Sequence, residues 1–100
     1  MVGSDVIAER LVTVKAEDGR ELRLCYRVFT GRTTMGGETR ECYGLEAVMR
    51  DGDRTDSRRF PCITCRREEM EMIFLMVVDG VVFPEELGEI LGQIIEEKIL

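Results

Sequence analysis

The strictest pattern in the chain runs through residues 21–28, where Leu22, Leu24, Tyr26 and Val28 alternate with Glu21, Arg23, Cys25 and Arg27. A period of two puts every second side chain on the same face, so this run is a strand with one apolar and one solvated side. Strands of that kind build antiparallel sheets packed on one side only. Upstream, Val6, Ala8, Val12 and Val14 alternate in the same way, with Arg10 as the exception. Asp18-Gly19 then sits where a hairpin needs positive φ. Tyr43, Leu45, Ala47 and Met49 make a third strand, ended by Asp51-Gly52-Asp53. Residues 55–60 make a fourth, and Pro61 at its end assigns it to an edge. Residues 31–40, with Gly36-Gly37 inside, read as a polar, flexible connection.

The pattern changes after residue 61. Thr64 is a suitable N-cap, Glu68 and Glu69 fall in the first turns, and Gly80 is placed to be the C′ residue of a helix over about 65–79. Residues 73–78 are apolar on all sides, and Asp79-Gly80 precedes Val81-Val82-Phe83, so 73–83 also reads as a hairpin. The helix formers Glu68 to Met72 favour the helix. Pro84 suits a first helical turn, and Glu85 and Glu86 complement its dipole. Leu87, Ile90, Leu91, Ile94 and Ile95 follow the 3.6 period as one stripe, with Gly88 and Gly92 beside it. Glycine costs a helix roughly 0.8–1 kcal/mol relative to Ala, so a close approach there, to the sheet or to a partner helix, is expected to compensate. The expected fold is α+β: a three- to four-stranded antiparallel meander followed by two C-terminal helices packed on one face. Residues 1–100 form a single small α+β domain.

Composition narrows the chemistry. Histidine is absent, which removes imidazole acid/base catalysis, Ser-His-Asp and Cys-His triads, and imidazole metal sites. The net charge is -6, and residues 68–100 carry nine acidic side chains against one basic. A nucleic-acid binder needs a basic face, so nucleic acid is not an expected partner. No apolar run approaches the ~20 residues of a membrane span. Asp5, Glu9 and Arg10 stand where the apolar core of a secretory signal would sit, which points to the cytoplasm and to cysteines kept as thiols.

Three groups of residues could carry chemistry. Cys62 and Cys65 have redox-motif spacing beside Arg66 and Arg67 at a helix start, where the dipole favours a thiolate. An antiparallel meander is not the βαβ setting of thioredoxin-like motifs, so these are redox candidates only as an alternative. The same pair could bite zinc if Cys25 and Cys42 converged on it; by phase both lie on the non-core face of the sheet. Arg58, Arg59, Arg66 and Arg67 could hold a phosphate or carboxylate at the helix N-terminus, or simply offset Glu68, Glu69 and Glu71. The adjacent acidic pairs Glu85-Glu86 and Glu96-Glu97 diverge on a helix and read as solvated.

The order of elements, with Tyr43-Gly44-Leu45-Glu46 in the third strand and Val81-Val82-Phe83-Pro84-Glu85-Glu86-Leu87 leading into the last helix, resembles a family of short uncharacterised proteins from clostridia-like Gram-positive bacteria, classed as a domain of unknown function. The resemblance covers most of residues 10–100 and implies a small meander followed by two helices, with no activity to carry over. With no catalytic constellation in view and no cofactor or metal implied, the expected function is a non-enzymatic interaction or regulatory module. Its partner is a protein or a second copy, and the stripe of Leu87, Ile90, Leu91, Ile94 and Ile95 is the expected homodimer interface.

Overall fold

The computed structural model describes residues 5–99. Strands β1 (Val6–Lys15), β2 (Glu21–Met35), β3 (Glu38–Asp51) and β4 (Arg54–Thr64) form one antiparallel sheet in the order β1-β2-β3-β4. Helices α1 (Arg67–Asp79) and α2 (Pro84–Ile94) follow, and a π-helical turn covers Ile95–Ile99. The fold class read from the alternation is the fold class observed.

Register explains where the core sits. Leu24 pairs with Met49, Tyr26 with Ala47 and Val28 with Leu45, so the apolar faces of β2 and β3 coincide. Met70, Ile73, Phe74 and Val77 of α1 and Leu87, Leu91 and Ile94 of α2 close over them. Tyr26 is fully buried, and its hydroxyl donates to the Val82 carbonyl at 2.8 Å. That bond fastens the centre of the sheet to the turn between the helices.

Three local expectations need correcting. Residues 31–40 are not a loose connection: β2 and β3 stay paired to Met35–Glu38, and Gly36-Gly37 makes the turn with φ of 58° and 83°. This arm extends past the helices, so neither of its faces is buried and the sequence there has no reason to alternate. By contrast, residues 73–79 are helical, as the helix formers before them favoured, and the alternative hairpin does not form. Thr64 does not cap α1 directly, since the helix starts at Arg67; its Oγ1 accepts from the Arg66 N–H at 3.1 Å and bonds the Glu69 carboxylate at 2.7 Å. Gly80 keeps a right-handed conformation, and Val81 takes the left-handed one at φ 49°. The Val81 and Val82 N–H groups return to the Val78 and Val77 carbonyls, closing a Schellman turn one residue later than its glycine suggests.

The two glycines of the terminal helix differ. A Cβ at Gly88 would lie 3.2 Å from the Phe60 ring of β4, so this glycine lets α2 approach the sheet; at Gly92 there is open space. The radius of gyration, 14.6 Å, exceeds the roughly 13 Å usual for 100 residues. The protruding arm and the single helical layer account for the excess, and the layer leaves the other side of the sheet uncovered.

Candidate binding surface

The uncovered side of the sheet is built in rows, because paired residues on neighbouring strands point the same way. One row is a ladder of alternating charge, Glu9, Arg27, Glu46 and Arg59, one from each strand. Arg27 meets Glu9 at 2.7 Å and Glu46 at 3.3 Å, and Arg59 meets Glu46 at 3.9 Å. The guanidinium of Arg59 also lies 3.8 Å over the Phe29 ring, which covers Phe29 on a face that has no helices. The next row is apolar at its centre: Leu11, Cys25 and Val48, with Ser57 at the edge. Beyond it come Thr13, Arg23, Arg50 and Thr55.

Arg23 and Arg50 are directly opposed, and neither makes an ion pair or a side-chain hydrogen bond among the described residues. Between them and the charged ladder lies a groove of about 430 Å³, lined by Leu11, Thr13, Cys25, Val48 and the flanking charges. The groove carries Arg23, Arg27 and Arg50 against one carboxylate, Glu46, in a chain whose net charge is -6. Like charges directly opposed across strands destabilise a sheet by a few tenths to about 1 kcal/mol. Arg23→Gln is therefore expected to raise the urea midpoint at low ionic strength, and the gain should vanish near 1 M salt, where the screening length falls to about 3 Å. An unchanged or lower midpoint at low salt would show that the pair is not under strain.

The cysteines are arranged differently from the motif. Cys62 is bonded to Cys42, 20 residues earlier, with 5.0 Å between their Cα atoms, and not to Cys65. Cys62 has φ 54° within the irregular pairing of β3 and β4 around Tyr43 and Leu45, and the disulfide lies over Gly31. The expectation of four thiols is corrected to two, Cys25 half-buried and Cys65 exposed. Local spacing drew attention to Cys65, whereas strand pairing brings in Cys42. Burial, the larger influence, pushes the Cys25 thiol up from its ordinary range, so it is a poor nucleophile at neutral pH. The cysteine set expected for zinc is not brought together: Cys62 is bonded to Cys42, and among the described residues no three metal-ligating side chains converge.

The four arginines singled out for an anion do not form one cluster. Arg58 and Arg59 are consecutive on β4 and point to opposite faces. Arg58 meets Asp56 at 3.6 Å, Arg66 meets Glu69 at 4.0 Å and Arg67 meets Glu71 at 3.4 Å. The stripe of α2 is likewise spent inside the chain. Leu87, Leu91 and Ile94 are buried against the sheet and α1, while Ile90 and Ile95 are partly covered. Exposed apolar surface lies instead at Leu75 and Met76 on α1 and at Val6, Ile7 and Leu11 on β1, where Leu11 is 72% exposed. Arg23 was legible as a solvated position in the alternation of β2, but only the register shows that it faces Arg50.

These features define a class of molecule: a small two-layer α+β protein with one helical face and one open sheet face. The chain belongs to the family of unknown function DUF6514, whose model matches residues 6–97. No curated protein sequence and no solved structure matches it. No helix among the described residues is long and apolar enough to cross a membrane.

Proposed function

We propose that this protein is a non-enzymatic interaction module that works as a homodimer joined edge to edge through β1. The observation that carries the reading is the unequal protection of the two sheet edges. On β4, Pro61 lacks an N–H, Cys62 interrupts the extended backbone, and Phe60 packs against α2 at Gly88. Such features block strand addition. Along β1 there is no proline, pairing with β2 is regular from Ala8 to Lys15, and Val6, Ile7 and Leu11 are exposed. An open, apolar strand edge is a template for another strand.

A second copy of β1 fits this edge by charge. In an antiparallel pair with Val12 on the two-fold axis, Glu9 of one protomer lies opposite Lys15 of its partner, and Leu11 lies opposite Thr13. The contact is isologous and closes at two copies, giving one continuous eight-stranded sheet. Sedimentation equilibrium is expected to give twice the 11.4 kDa chain mass for the native protein. Lys15→Glu should shift it toward the monomer, and Glu9→Lys combined with Lys15→Glu should restore the dimer. A monomer at every concentration, or a dimer indifferent to both changes, would overturn the proposal.

A further inference from the structure

We propose that the groove on the open sheet face is a binding site for a small amphipathic carboxylate, its head held by Arg23 and Arg50 and its apolar body laid against Leu11 and Val48. Two guanidiniums are opposed across β2 and β3 with no carboxylate partner among the described residues, although acidic side chains outnumber basic ones in the chain. The neighbouring arginines of the sheet face, Arg27 and Arg59, each have a carboxylate. An anion placed between Arg23 and Arg50 would turn a repulsive pair into a chelating one, since guanidinium forks match the planar geometry of a carboxylate.

The groove supplies the rest of the recognition. Its volume of about 430 Å³ falls in the range of roughly 300–1,000 Å³ usual for small-molecule sites. Leu11, Cys25 and Val48 give it an apolar floor one row from the arginines, and Thr13 adds a hydroxyl at the rim. Glu46, Glu9 and Glu21 are the nearby carboxylates: Glu46 is engaged by Arg27 and Arg59, Glu9 by Arg27, and Glu21 lies beyond the arginines, opposite Lys15. A second negative group on the ligand's tail would meet Glu46, so the ligand carries its charge at one end.

Leu11 and Thr13 belong both to the groove and to the proposed edge contact, so binding is measured in the native chain and in a variant with that contact broken, and the two proposals then fail separately. Hexanoate is the probe, with acetate and hexanol as its head and tail alone, followed by amide chemical shifts of the 15N-labelled full chain. The expected result is saturable shifts at Leu11, Thr13, Arg23, Cys25, Val48 and Arg50, with hexanoate binding about tenfold or more tightly than acetate. The monomeric Lys15→Glu variant should bind equally well. Arg23→Gln with Arg50→Gln, checked for a native-like spectrum, should weaken hexanoate about tenfold or more while leaving hexanol unchanged. Should that variant lose its fold, the native protein must show hexanoate affinity falling steeply between 0.05 and about 0.5 M salt, with hexanol unaffected. Shifts elsewhere, equal binding of acetate and hexanoate, or affinity indifferent to both arginines and salt would overturn the site.

Discussion

Gly44→Ala is expected to destabilise the fold by about 1–3 kcal/mol, whereas Gly92→Ala should stabilise it by up to about 1 kcal/mol. Both replace a glycine inside a regular element with the same residue, and the opposite signs follow from what surrounds each. A Cβ at Gly44 would lie 2.6 Å from both the Phe29 ring and the Phe60 carbonyl oxygen. Neither neighbour can retreat cheaply. Phe29 is held from above by the guanidinium of Arg59, and the Phe60 carbonyl belongs to the backbone beside the irregular pairing of β3 and β4. At Gly92 the added methyl meets nothing, and alanine lowers the entropy cost of the helix. Urea midpoints of the two variants decide the matter. Equal stability of Gly44→Ala and the native chain would show that Phe29 does not seal the open face as described.

The second large effect is alkaline. Burial, with the charge of Glu86 as a smaller influence, pushes the Tyr26 hydroxyl up to about 12. The unfolded chain loses this proton near pH 10 and the folded chain only near 12, so the folded state binds more protons in between. The stability from Tyr26 is whole below pH 10 and is lost as pH rises to about 12, a change of about 2–3 kcal/mol. Tyr26→Phe should lower stability at pH 7 by about 1–2 kcal/mol, because the Val82 carbonyl loses its donor. The same variant should flatten the fall between pH 10 and 12. Tyr43, also pushed upward chiefly by burial, leaves a residual slope. An undiminished alkaline slope in Tyr26→Phe would mean that the loss originates elsewhere.

The layers of the fold were written in periodicity, because burial on one face imposes a period of two on the strands and 3.6 on the terminal helix. Tyr26, Leu45 and Leu87 each occupy the core position their phase assigns. Periodicity fails where neither face is buried, as in the β2–β3 arm, and where neighbours come from far along the chain. Thus the Cys42–Cys62 bond escaped a reading built on the local spacing of Cys62 and Cys65. The stripe from Leu87 to Ile95 signalled burial correctly but not against what, since a core and a dimer interface use the same pattern. Arg23 was visible as a solvated position, and its opposition to Arg50 depends on a register that hairpin lengths set.

In the function proposed above, edge and face have separate tasks: β1 would offer backbone to a second copy, and the open face would keep its arginines for a ligand. The edge contact is tested most directly by hydrogen exchange along β1. The β1 N–H groups that point away from β2 have no partner in the monomer and acquire one in the dimer. Their exchange is expected to slow as protein concentration rises, across Val6–Lys15, while outward amides of β4 stay fast. Rapid exchange along β1 at every concentration, or protection that grows along β4 instead, would contradict the edge-to-edge dimer.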